Sequence, residues 1–254
     1  MTVWEAVAVL FAGVGAGMIN VIVGSGTLIT FPVLLAVGVP PVTANVSNSF
    51  GLVPGSLSGV IGYRRELAGQ GRRLARLGTA SLIGGLIGAL LLVKLPSAAF
   101  DAIVPVLILL ALVLVVIQPR VARAVAARRG DTGGPDPDGG ALLLAGVFLT
   151  GIYGGYFGAA QGVLLLALMG MLLQEEMQRI NGVKNALAMI VNGVAAVFFL
   201  FTSTVDWTAA LLIAVGSLVG GLAGAKVGRR LPPPVLRSVI VVVGLAAVTK
   251  LVVS

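Results

Sequence analysis

The chain has 254 residues, 58% of them hydrophobic and only 10% charged, with a mean hydropathy of +1.09. That balance excludes an ordinary soluble domain and predicts an all-α polytopic membrane protein. The net charge of +8 would suit nucleic acid in a soluble chain. Here the cations are read as loop residues that orient the chain in a bilayer, and no nucleic-acid partner is expected. There is no cysteine and no histidine, which excludes disulfides, thiol chemistry and the commonest metal ligand, so neither a cofactor nor a metal is expected.

The first apolar segment spans 3–23. Glu5 stands where a signal peptide is basic, and no small-residue cleavage site follows, so a retained helix is predicted. The run breaks at Gly24, Ser25 and Gly26, resumes over 26–38 and stops at Pro40 and Pro41. A polar patch with Thr43, Asn45, Ser47, Asn48 and Ser49 then opens the segment 42–63. Further apolar segments lie at 77–93, 101–118, 141–158, 162–174, 182–202, 208–225 and 235–253. Those of about 17 or more residues can cross a bilayer, whereas 26–38 and 162–174 are short for that and predict half-helices, or short spans hidden within a bundle. The expected fold is therefore eight long helices, up to ten segments. A Gly-, Pro- and Asp-rich stretch over 130–140 divides the chain nearly in half. Residues 1–118 are expected to form a first transmembrane repeat, 119–140 a cytoplasmic linker and 141–254 a second repeat.

The halves match when Gly15 is set on Gly151. In that register Gly26 meets Gly162, Asn45 meets Asn181 and Ser49 meets Asn185. Chance matching of glycines is the plainer alternative, but the order of segments agrees as well. Charge then chooses the orientation. If each broken segment crosses once, nine loop cations (Arg64 to Arg76, Arg120 to Arg129) fall inside and six, from Arg179 to Arg237, outside. If each broken segment goes in and returns, all fifteen fall inside, leaving only Lys94 and Lys250 outside. The positive-inside rule favours the second arrangement: two inverted repeats, each a broken helix or hairpin plus three transmembrane helices, with both termini outside.

Polar groups in an oily segment must face protein or a cavity, and helices broken within the membrane often hold small ions. Asn45, Asn48 and Ser49 stand at i, i+3 and i+4 and share a helical face. Two amides and a hydroxyl there suit an oxyanion, which wants several donors. One of them capping the helix is the competing structural reading. The second half repeats the spacing with Asn181, Lys184 and Asn185, where Lys184 adds a charge unless it merely snorkels to the interface. Gly24, Ser25, Gly26 and Thr27 suit an anion-holding turn at a helix N-terminus, or else a close helix contact. Gln161 and Gly162 are their analogue in the second half. Asn20 and Asn192 suit interhelical hydrogen bonds, with Asn20 kept among the substrate-site candidates. Gly84, Gly85 and Gly88, and Gly216, Gly220, Gly221 and Gly224, are expected to be packing positions. Trp4, Tyr63, Tyr153 and Trp207 are expected to be interfacial anchors.

GSGTLITFPVL at 24–34, ANVSNS at 44–49, GYR at 62–64 and GIYGGYFG at 151–158 resemble the sulfite exporter TauE/SafE family, the toluene sulfonate uptake permeases, over essentially the whole chain. Ser25 interrupts what similar proteins show as a more continuous glycine break. The resemblance implies secondary transport of small sulfur-containing anions such as sulfite, sulfonates or sulfoacetate, at the cell membrane and, in a bacterium, the inner membrane. The expected partners are a small anionic substrate and the lipid bilayer, with a homodimer left open. A passive anion channel is the alternative. A membrane-embedded enzyme fits poorly, because no His, Cys or buried carboxylate is available for acid–base, metal or thiol chemistry. No Walker motif is present to use ATP.

Overall fold

The computed structural model describes residues 1–128 and 139–227, together with Val242. Among the described residues there are helices and no strand: α1 (Val3–Ile22), α2 (Thr27–Ala36), α3 (Pro41–Gly62), α4 (Arg64–Leu67), α5 (Gly71–Lys94), α6 (Ser97–Arg128), α7 (Gly140–Tyr156), α8 (Gln161–Leu172), α9 (Met177–Thr202) and α10 (Trp207–Val227). The predicted segment 235–253 and most of the linker lie outside the described residues. α6 runs on to Arg128, past the expected end of the first repeat at 118.

Among the described residues, five helices are long and apolar enough to cross a membrane: α1, α5, the Ser97–Ile117 part of α6, α9 and α10. α3 has the length, at 22 residues, but is not among them, because Asn45, Ser47, Asn48, Ser49, Ser56 and Ser58 lie on it, all buried. The outward surface is apolar, with Trp4, Phe11, Leu142 and Phe201 exposed as lipid-facing side chains. The chain is a multi-pass membrane protein.

Local chemistry starts and stops these helices. Thr2 and Glu5 form a capping box at α1, Glu5 N donating to Thr2 Oγ1 (3.3 Å) and Thr2 N to Glu5 Oε2 (2.7 Å). Pro41 is the first residue of α3, where its missing N–H costs nothing. Glycines then set the packing. Leu10 meets Gly216, Val14 meets Gly220 and Met18 meets Gly224, so α1 and α10 lie side by side and run the same way. Gly84 meets Phe148 and Gly88 meets Ile152, so α5 and α7 do likewise. A side chain at Gly88 or Gly220 would run into the neighbouring backbone, as expected of packing positions.

Both broken segments enter and return. Arg76 donates to Gly140 O (2.8 Å) and Arg73 to Glu175 (3.0 Å), so α7 begins, and α8 ends, beside the start of α5. Asp206 N donates to Ser47 Oγ (2.9 Å), which puts the start of α10, and hence of the parallel α1, on the face where α3 begins. The first helix of each half packs on the next long helix after the polar one of the other half, α1 on α10 and α7 on α5, while α3 meets α9. Phe31 of α2 stacks edge-on against Phe157 (5.1 Å) and Phe100 (6.5 Å), fixing the returning half-helix against α6 and the second break.

Candidate functional site

The two breaks meet. Gly162 N donates to Gly24 O at 3.0 Å, and a Cβ on either glycine would run into the backbone of the other. Gly24 turns left-handed, with φ +88°. Ala160, its counterpart in the second half, does the same at φ +59°, the one non-glycine among the described residues to do so. Sequence reasoning misses Ala160 because alanine carries no turn signal.

The polar faces of α3 and α9 hold these breaks by reaching across the halves. Lys184 is fully buried, and its Nζ donates to Asn20 O (2.9 Å) and Val21 O (2.8 Å) at the end of α1. Asn185 Nδ2 also donates to Val21 O (3.3 Å). In return, Asn45 Nδ2 donates to Tyr156 O (2.9 Å) at the end of α7. Asn20 and Tyr156 are themselves repeat counterparts. Each half thus satisfies the orphan carbonyls of the other half's broken helix. A positive charge at a helix C-terminus also complements its dipole, so Lys184 is suitably placed for α1.

Several expectations change. Lys184 does not snorkel: it is 0% exposed. Asn45 and Asn48 do not cap α3, whose N-cap is Pro40; they lie beyond its first turn. Asn48 donates to Thr27 Oγ1 (3.1 Å) and accepts from Thr30 Oγ1, pinning α2 to α3 within one half. Ser49 donates to Asn45 O (3.0 Å) of its own helix. Asn20 donates to Ser56 Oγ (3.2 Å), an interhelical bond. Asn181 donates to the Tyr63 hydroxyl (2.8 Å), so Tyr63 is an interior partner and not an interfacial anchor. Tyr153 likewise turns its hydroxyl inward, onto Ala159 O. Trp4 and Trp207 are exposed as expected.

Four buried polar atoms at the breaks have no protein partner: Ser25 Oγ, Gln161 Nε2, Asn45 Oδ1 and Asn181 Oδ1. Ser25 and Gln161 are repeat counterparts, as are Asn45 and Asn181. Unpartnered buried polar groups are costly and rare, and their occurrence in repeat-related pairs marks a place where something else supplies the bonds. Ser25 adjoins Gly24 and Gln161 adjoins Gly162, so both donors flank the point of contact. Lys184 lies there too: a Cβ on Gly162 would come within 3.0 Å of its Cδ. Among the described residues no carboxylate pairs with Lys184, and no group of His, Cys, Asp or Glu could hold a metal ion. The assembly offers a ligand two hydrogen-bond donors, Ser25 Oγ and Gln161 Nε2, two acceptors, Asn45 Oδ1 and Asn181 Oδ1, and one cation.

The sequence profile of the sulfite exporter TauE/SafE proteins matches residues 9–251. The chain belongs to that family. Its full-length relatives include a probable membrane transporter protein of Haemophilus influenzae, 25% identical over 252 residues, covering 98% of this chain and 95% of that one. Another is the probable membrane transporter protein YfcA of Escherichia coli K12, 25% identical over 242 residues, covering 95% and 87%. A third, the probable membrane transporter protein ORF9 of Sinorhizobium, is also 25% identical, covering 93% and 88%. A TauE/SafE protein is a membrane transporter, so the broken helices and their unpartnered polar atoms belong to a transport protein.

Proposed function

We propose that this TauE/SafE protein is a secondary transporter of a small anion, of the sulfite, sulfonate or sulfoacetate type, bound where the two breaks meet. The observation that carries this is the pair of unpartnered donors, Ser25 Oγ and Gln161 Nε2, flanking a contact that also holds the buried cation Lys184. An oxyanion would supply acceptors to the donors and a counter-charge to the lysine. The family's description, a sulfite exporter, supports the same class. The Gly24–Gly162 contact across the centre favours a carrier over the alternative, a passive anion channel. The parallel pairs α1/α10 and α5/α7, beginning on opposite faces, support inverted repeats with the arginine-rich loops in the cytoplasm.

The test is a thermal-shift screen of the purified protein with sulfite, sulfonates, thiosulfate and carboxylates, followed by flux and counterflow in proteoliposomes. Asn45, Asn48, Asn181 and Asn185 are each replaced by Ala. The variants should insert normally and lose binding. Wild-type binding and transport in all four would move the site elsewhere, and flux without saturation or counterflow would make the protein a channel.

A further inference from the structure

Two repeat-related places differ in this structure. On the face where α3 begins, a pocket of about 300 Å³ is lined by Thr43, Leu92, Ser97, Thr202, Ser203 and Thr204. In the register that sets Gly15 on Gly151, Thr43 corresponds to Arg179, and Thr202, Ser203 and Thr204 correspond to Glu66, Leu67 and Ala68. On that opposite, arginine-rich face the same positions touch. Arg179 Nη1 donates to Ala68 O (3.3 Å), and Gln70 Nε2 donates to both Arg179 O (3.3 Å) and Glu66 O (2.9 Å). Leu67 lies against Gly182. Glu175 joins the two halves by pairing with Arg179 (2.7 Å) and Arg73 (3.0 Å). The loop that follows α3 in the first half is thereby strapped to the loop that precedes α9 in the second.

We propose that this strap is the gate of the arginine-rich face: there the two halves are tied together, while at the repeat-related place on the Thr43 face a pocket stands between them. Passage to the arginine-rich face then requires Glu175 and Arg179 to leave Arg73 and Ala68. The inference rests on the transporter reading, which requires two such states, each closed on one side. Polar contacts suit the task. A part-buried ion pair is weak and its members rehydrate when parted, so the closed state stays within reach of the open one. An apolar seal would lose burial with no such return.

The chain has no cysteine, so one introduced thiol reports one face. Leu67→Cys lies within the strap, half-buried against Gly182, and Ser203→Cys is its counterpart lining the pocket on the other face. Full-length protein in right-side-out and inverted vesicles is labelled with a membrane-impermeant maleimide. Ser203→Cys should label fast and Leu67→Cys slowly. Adding Glu175→Gln, which removes both ion pairs, or separately Arg179→Gln, which removes one together with the bond to Ala68 O, should speed Leu67→Cys labelling about fivefold. Leu67→Cys labelling that is fast in the parent, or unchanged by both variants, overturns the gate, as does slow labelling at Ser203→Cys. Labelling needs no substrate, so the two readings fail separately. Faster labelling without sulfur-oxyanion transport leaves the gate and removes the substrate class. Transport with unchanged labelling removes the gate alone.

Discussion

Lys184 is the most expensive side chain in this interior. Burying an ammonium costs about several kcal/mol even after relaxation. Two charge-assisted hydrogen bonds, to Asn20 O and Val21 O, return about 1.5–3 kcal/mol each, and the end of α1 adds a fraction more. Dipoles alone leave the charge incompletely compensated, and an entering anion would complete it. Lys184→Gln should therefore weaken anion binding at least about tenfold, or about 1.4 kcal/mol, the low end for such a contact. Asn185→Ala supplies the comparison: it removes a donor to Val21 O and no charge, so its loss of binding should be the smaller of the two. Calorimetric titration with the anion found by the thermal-shift screen compares the two. Equal losses would assign Lys184 to holding the tip of α1 and not to the substrate. Lys184→Arg should be the poorer replacement, because the lysine stem already lies against Gly162 and a planar fork needs more room.

At the scale of elements, the breaks are built from two turns of one geometry and unlike residues. Gly24→Ala would meet both a left-handed backbone and the backbone of Gly162, so we expect a large drop in the melting temperature of the detergent-solubilised protein. Ala160→Gly should change it little. Relief of about 1 kcal/mol of left-handed strain is offset by the similar conformational entropy that glycine loses on folding. A large destabilisation by Ala160→Gly would show that the methyl group itself is packed there for a reason. The strap between α5 and α9 titrates. Partial burial pushes the Glu175 carboxyl up, but hydrogen bonds and charge from Arg179 and Arg73 outweigh it and hold it below the usual carboxylate range. Its folded pKa lies below the unfolded one, so its stabilising contribution is full above the ordinary carboxylate range and disappears as pH falls through the lowered value. Melting curves from neutral pH down to the acid limb should thus lose less in Glu175→Gln than in the parent. Parallel curves would show that the strap adds no stability.

At the scale of the molecule, the exchange of partners between halves predicts which side each end occupies. Fourteen of the seventeen Lys and Arg residues fall on one side if both broken segments return, with Lys184 buried between the halves and only Lys94 and Lys250 on the other side. A reporter fused at Ser254 should then read as external, and a cytoplasmic reading would overturn the inverted arrangement. The order of segments was legible because a bilayer demands long apolar runs and punishes anything else, so glycine breaks, diprolines and arginine loops stand out. Asn45, Asn48, Asn181 and Lys184 were legible as interior candidates for the same reason: a polar side chain in oil must have a partner.

Composition and order, then, determined by themselves that this chain crosses a membrane in helices, that two of its segments are broken, and that the amides of 45–48 and 181–185 face inward. Only the tertiary structure decided what those residues touch. Lys184 meets carbonyls 163 and 164 positions away, and Asn45 meets one 111 away. Helical periodicity carries information across a few turns of one helix. Which carbonyl a buried amine finds is settled by the packing of helices from opposite halves, and that depends on glycine surfaces meeting at distances no local pattern encodes.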